Sequence, residues 1–177
     1  MVIDSDNLVL FSERLELKSF SKEMITDEYL SWLNDKALMK YSEQRHKTHN
    51  KDSAIIYLDS FKNTRNMFLG IFTMEERSLV GTMTAYHDIN NNIVDLGILV
   101  GSKKFRSSGI GFEAWSTLMD YYANQRVRLI TAGAMANNKP MISIFKKSGM
   151  SEAGIRRNHY IYKNKPIDLV YFSKKVS

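Results

Sequence analysis

The stretch VDLGILVGSKKFRSSGIGFEAWSTLMDYY, residues 94–122, decides how the whole chain is read. Its opening run, up to Val100, is rich in β-branched and apolar residues and predicts a strand. From Gly111 the period changes, because Gly111, Trp115, Leu118 and Tyr122 stand at i, i+4, i+7 and i+11, one face of an amphipathic helix. Between strand and helix lies RSSGIG, with glycines at 109 and 111. Glycines there let main-chain amides approach an anion closely, and the helix that follows aims its positive end the same way. The plain alternative is a glycine loop that only turns the chain.

Working outward, RLELKSF (14–20) alternates Leu15 and Leu17 with Glu16 and Lys18, the two-residue period of a half-buried strand. In SKEMITDEYLSWLND, Met24, Ile25, Tyr29, Leu30, Trp32 and Leu33 fall near helical spacing, with Thr26 or Ser21 as cap. NKDSAIIYLDSFKN predicts a second helix, capped at Asn50 or Asp52. MFLGIFTM, SLVGTMTAYHD and IVDLGILVG are β-rich runs joined by the short polar connections EER and NNN, the pattern of an antiparallel meander. Beyond the central helix come the strand VRLITAGAM and a helix in NNKPMISIFKKSGM, capped by Asn137 or Asn138, with Pro140 in its first turn and Gly149 at its stop. The tail RRNHYIYKNKPIDLVYFSKK reads as two strands around KNKP. The order βααβββαβαββ predicts an α+β domain built on one mostly antiparallel sheet flanked by helices.

At 177 residues the chain is read as a single domain, 1–177. Its 44% hydrophobic and 25% charged residues with only 2 prolines exclude disordered and collagen-like classes. A net charge of +6 favours an anionic partner without choosing it. The start, MVIDSDNLVLF, carries acids where a signal peptide needs a basic region, and no apolar run is long enough to span a bilayer, so a cytoplasmic protein without membrane association is expected. With no cysteine, a covalent acyl-cysteine route is excluded. No nucleic-acid motif accompanies the charge, so none is expected as partner.

Three phosphate-binding readings of the glycines compete. A P-loop needs G-x-x-x-x-G-K-[ST], which is absent. Gly109, Gly111 and Ala114 satisfy the dinucleotide pattern G-x-G-x-x-[GA], but from Val127 to Ser151 there is no acid to hold a ribose hydroxyl. The third takes the hexad as R-x-x-G-x-G, with Arg106 and the neighbouring Lys103 and Lys104 adding charge to an amide cradle for a pyrophosphate.

With Arg106-Ser107-Ser108-Gly109-Ile110-Gly111 after the fourth predicted strand, Asp95-Leu96-Gly97-Ile98 in that strand, and Asn138 followed by Lys147-Ser148-Gly149-Met150, the chain resembles the GCN5-related N-acetyltransferases over residues 13–173. Arg156 before a tail strand and Asp168 in the last one resemble the ribosomal-protein and sugar-modifying branch of that family. The resemblance implies acetyl-CoA as donor and no metal. It implies a sheet that splays between the fourth and fifth predicted strands, with the pyrophosphate on the amides of Arg106, Ser107, Ser108, Gly109, Ile110 and Gly111. The free edge at Leu99, Val100 and Gly101 would pair with the pantetheine arm, and Asn138 would contact that arm from across the cleft. It leaves a homodimer open.

An amine must lose its proton to attack a thioester, and the resemblance puts Asp95 where a catalytic acid side chain stands, acting through a water. A strand-face carboxylate in a surface ion pair is the competing reading. Where relatives carry a tyrosine to protonate the leaving thiolate, this chain has Phe145, so water, Ser143, Tyr160 or Tyr162 would substitute; Tyr160 is taken as the candidate. The polar stretch YSEQRHKTHN (41–50) between two helices is expected to read the acceptor through Glu43, Gln44, Arg45 and His46. W-L-N-D followed by Y-S-E-Q-R resembles acetyltransferases of nucleotide-linked amino sugars, which makes a small anionic amine the expected acceptor. A protein N-terminus, a polyamine, or a noncatalytic acyl-CoA-binding role are the alternatives.

Overall fold

The computed structural model describes residues 8–176, so the acidic start with Asp4 and Asp6 lies outside the described residues. The elements run β1 (Val9–Phe11), β2 (Leu15–Ser19), α1 (Asp27–Asn34), α2 (Lys51–Asp59), β3 (Met67–Thr73), β4 (Leu79–Asp88), β5 (Ile93–Val100), α3 (Ile110–Asn124), β6 (Leu129–Met135), α4 (Lys139–Lys147), β7 (Ser151–Tyr162) and β8 (Lys165–Lys175). The predicted order is present with one strand added in front. The added β1 spans 3 residues, too few to show an alternation. The strands form one sheet in the order β1-β2-β3-β4-β5-β6-β8-β7, antiparallel except for the β5–β6 pair.

Strand alternation sends side chains to two different cores. Met67, Leu69 and Ile71 of β3 and Val94 and Leu96 of β5 join Trp115, Leu118 and Tyr122 of α3 and Phe145 of α4 on one face. Phe68 faces the opposite way, into a smaller aromatic cluster with Tyr29 and Trp32 of α1 and Ala54 of α2. On this second face Thr82, Thr84 and Tyr86 of β4 stand opposite Leu99, Gly97 and Asp95 of β5, because cross-strand partners share a face.

Helix starts follow their capping chemistry. The Thr26 hydroxyl accepts the Tyr29 N–H at 3.2 Å, Asn50 and Ser53 form a reciprocal box, and the Asn138 carboxamide oxygen accepts the Met141 N–H at 3.3 Å. At the tail hairpin Lys163 and Asn164 have φ of 50° and 62°, the doubly left-handed turn that matches strand twist.

Candidate active site

The parallel pairing of β5 and β6 lasts only through Ile93–Leu129, Val94–Ile130 and Asp95–Thr131. Beyond Asp95 the two strands part, while β6 stays paired to β8 as far as Met135. The rest of β5 therefore has no strand on one side. Main-chain direction alternates along a strand, and the printed bonds fix its phase. Asn92 and Val94 turn their carbonyls toward β6, where the Leu129 N–H and the Thr131 hydroxyl donate to them, whereas the Gly101 N–H donates to Val80 on the β4 side at 2.9 Å. Leu96, Ile98 and Val100 consequently aim their main-chain groups into the fork. This corrects the expected edge: Val100 belongs to it, but Leu99 turns its main chain toward β4 and its side chain elsewhere. Gly101 also stands apart, since its carbonyl accepts Arg106 Nη2 at 2.6 Å. Gly101 must be glycine for another reason, because a Cβ there would meet the Trp32 indole.

At the mouth of the fork the loop from Arg106 to Gly109 leads into α3. Ser107 and Gly109 have φ of 64° and 87°, which bends successive amides toward one side. No side chain caps α3, and among the described residues the N–H groups of Ser107, Gly109, Ile110, Gly111 and Phe112 have no acceptor. Arg106 and Ser108 depart from the expectation, their N–H groups going to the Lys103 and Phe105 carbonyls, each at 3.4 Å. A run of free amides at the start of a helix of 15 residues is an anion-binding geometry. Arg106 does not contribute the free fork of donors expected of it; its guanidinium braces the corner at Gly101, and its Nε is buried without a partner. The loop is fixed from behind by Arg14, which donates to the Ser108 carbonyl at 3.2 Å and bridges Glu113 in the first turn of α3 at 2.7 Å. Burial opposes ionisation of Glu113. Hydrogen bonds from the Ser12 hydroxyl and from the Arg14 N–H and guanidinium outweigh it and hold the carboxyl below the usual carboxylate range.

A cleft of about 480 Å³ opens on the α1–α2 face of the same strand. Thr82, Thr84, Gly97 and Leu99 form its floor, with Tyr29, Tyr57 and Gln44 among its walls. Burial pushes the Tyr29 hydroxyl up to about 12. Burial and a 3.0 Å hydrogen bond to the Tyr86 hydroxyl raise that of Tyr57 as well, so both phenols stay protonated. Asp95 shares the face of the floor residues and sits at the vertex of the fork, where its Oδ2 accepts the Thr131 hydroxyl at 2.8 Å. Although Asp95 has an exposed edge, crowding of its carboxyl by protein lifts it above the ordinary carboxylate value, against the pull of that hydrogen bond.

Of the acceptor-reading residues expected between the first two helices, Gln44 lines the cleft. Glu43, Arg45 and His46 do not. Arg45 ties its turn to the tail hairpin, donating to the Ser42 and Ile161 carbonyls at 2.9 and 3.0 Å and pairing with Glu43 at 2.6 Å. Tyr41 stacks on Tyr162 beside it. Tyr160 sits on the hairpin, where burial and the negative charge of Glu43 raise its hydroxyl. Phe145 is buried between Trp115 and Phe172 and offers no proton. In the sequence no site role fell to Thr82, Thr84 and Tyr57, and Gly97 entered only as part of the Asp95–Ile98 motif. The small polar residues at alternate positions of GTMTA were the available signal. Among the described residues no group of three or more His, Asp or Glu could hold a metal ion, and no helix is long and apolar enough to cross a membrane.

A mixed sheet split at one parallel pair, an uncapped helix at the split and a cleft beside it define an anion-binding fork with an adjoining pocket. A model of the acetyltransferase (GNAT) domain matches residues 14–151. An acetyltransferase (GNAT family) from Bacillus anthracis superposes with a TM-score of 0.79 at 18% identity, over 95% of this chain and 98% of that one. RimL, a ribosomal L7/L12 alpha-N-protein acetyltransferase solved with coenzyme A, gives 0.84 at 13% identity, over 96% and 98%. The microcin C7 self immunity acetyltransferase MccE, solved with acetyl-CoA and AMP, gives 0.80 at 16% identity, over 93% and 94%. No curated protein sequence matches the chain. The chain belongs to the GNAT acetyltransferase family and is an acetyl-CoA-dependent acetyltransferase.

Proposed function

We propose that the chain transfers an acetyl group directly from acetyl-CoA to the primary amine of a small, hydroxyl-rich, anionic acceptor, an amino sugar linked to a nucleotide. The observation that carries the donor half is the set of free amides at Ser107 and from Gly109 to Phe112 at the mouth of the fork. They suit a pyrophosphate, and the free groups of Ile98 and Val100 suit an amide-bearing arm laid along β5 as an added strand. The amide of the Asn138 side chain remains available to that arm, because capping occupies only its oxygen. The donor supplies the acetyl group as a thioester.

The chain's own groups do the rest. An N–H of Ile98 or Val100 stabilises the negative charge that develops on the carbonyl oxygen. The acceptor nitrogen bonds to the acetyl carbon as the carbon–sulfur bond breaks, and its proton passes through a water to Asp95, then to solvent. With Phe145 apolar, the thiolate leaves and takes its proton from water, or from Tyr160 if the hairpin closes on it.

The acceptor half rests on composition. No carboxylate lines the cleft, whereas hydroxyls, Gln44, Lys47 and His49 do. A polyamine would find no counter-charge on the walls, only Asp95 at the vertex, and a phosphorylated sugar would find Lys47 and hydrogen-bonding groups. MccE binding AMP together with acetyl-CoA fits a nucleotide next to the same kind of site. Thiol release from acetyl-CoA, followed across amino-sugar nucleotides, peptides with a free N-terminus and polyamines, tests the reading. Fastest turnover of the peptides would transfer the assignment to protein N-termini.

A further inference from the structure

We infer that Thr84 and Gly97 form the seat of the acceptor nitrogen: the Thr84 hydroxyl accepts an amine N–H, and the missing side chain of Gly97 is the opening through which that amine reaches the fork. The inference rests on the transferase reading above and adds to it the residues that place the reacting atom.

Thr84 and Gly97 are cross-strand partners, and both line the cleft floor. A Cβ on Gly97 would come within 2.7 Å of Thr84 Oγ1, so the bare glycine is what leaves that hydroxyl uncovered. The Thr84 hydroxyl has no hydrogen-bond partner among the described residues, although the residue is half-buried. Ser53, Ser60 and Ser42 are engaged, with Asn50, with the Tyr57 carbonyl and as acceptor of the Gln44 N–H; of the small hydroxyls of the lining without a partner among the described residues, those of Thr48, Thr82 and Thr84, Thr84 alone faces a glycine across the β4–β5 pair. That hydroxyl is open to the cleft, where an amine can take the place of solvent.

Position supplies the second argument. The peptide unit joining Gly97 to Ile98 carries an N–H that points into the fork, so the gap at Gly97 adjoins a main-chain donor for the acetyl oxygen. Gly97 also lies two residues from Asp95 on the same face, about 7 Å along the strand. An aspartate side chain covers part of that distance and one water the remainder. An amine donating one N–H to Thr84 and another to that water keeps its lone pair free for the acetyl carbon. Thr84 is thus a positioning residue for the nitrogen, and Gly97 sets how bulky a carbon may carry it.

The test uses the full chain with Thr84→Val, which keeps shape and removes the hydroxyl, and Thr84→Ser, which restores it. Probes are a nucleoside-diphosphate amino sugar, a serine-initiated peptide and spermidine. The readouts are kcat and KM for each amine, the Kd of acetyl-CoA, and the Kd of the amine for protein saturated with coenzyme A. We expect Thr84→Val to lose about tenfold in kcat/KM and a similar factor in amine Kd, the worth of one hydrogen bond, with acetyl-CoA affinity unchanged and the serine variant near wild type. If Thr84→Val does not fold, Gly97→Ala carries the same expectation, because its methyl presses on the same hydroxyl. Wild-type kcat/KM in a folded Thr84→Val or Gly97→Ala variant overturns the seat and leaves the transferase reading intact. A wild-type chain that acetylates none of the three amines overturns both.

Discussion

At the scale of the residue, Asp95 and Glu113 are carboxylates driven in opposite directions by their surroundings. Folding raises the Asp95 pKa above 3.8. Its stabilising contribution is therefore complete below that value and is lost as pH rises through the folded pKa. Asp95→Asn should leave the melting temperature at neutral pH unchanged or higher. The same variant should lower kcat by about a hundredfold and flatten the acid limb of the rate profile, which in the wild type lies above the ordinary carboxylate range. Stopped-flow thiol release against pH, with calorimetry on the same samples, checks both. Glu113 has the reverse sign: its lowered pKa stabilises the fold above the unfolded value of 4.5, and that contribution disappears as pH falls through the folded one. Glu113→Ala should cost about 2 kcal/mol, the range for hydrogen bonds to a charged group, seen as a melting temperature lower by about 5 °C at pH 7 and by much less in acid.

At the scale of the element, α3 and the loop before it form the proposed donor site, and this stretch was the most legible in the sequence. A change of period across RSSGIG requires a strand, a turn and a helix, and the glycine at 109 occupies a φ that a side chain resists. Gly109→Glu should abolish coenzyme A binding in titration calorimetry, by strain and by placing a carboxylate among amides meant for phosphate, while the far-ultraviolet circular dichroism stays native. Other features were legible only in part. The three-residue β1 carries no periodic signal, and the main-chain phase of β5 depends on which neighbour each residue bonds, so in sequence alone Leu99 and Gly101 are indistinguishable from edge residues. Arg106 and Arg45 illustrate the same limit. Their letters announce charge, whereas the fold points both guanidiniums at main-chain carbonyls. Thr84 and Gly97 became a pair only through the β4–β5 register.

At the scale of the whole molecule, the tail hairpin and the α1–α2 connection work as one wall. Arg45 joins them through the Ile161 carbonyl, and Tyr41 stacks on Tyr162 next to it. Arg45→Ala should loosen that wall and raise KM for the acceptor several-fold without changing acetyl-CoA affinity, a split that steady-state kinetics resolves. The fork has the widest reach. Within the sheet, among the described residues, three residue pairs join the β1–β5 panel to the β6–β8 panel, and a donor molecule laid in the fork as proposed would bridge the two. Saturation at about a hundred times Kd adds about 2.7 kcal/mol to such a fold. Resistance to thermolysin should accordingly climb with added acetyl-CoA, since a molecule lodged in the fork opposes its opening.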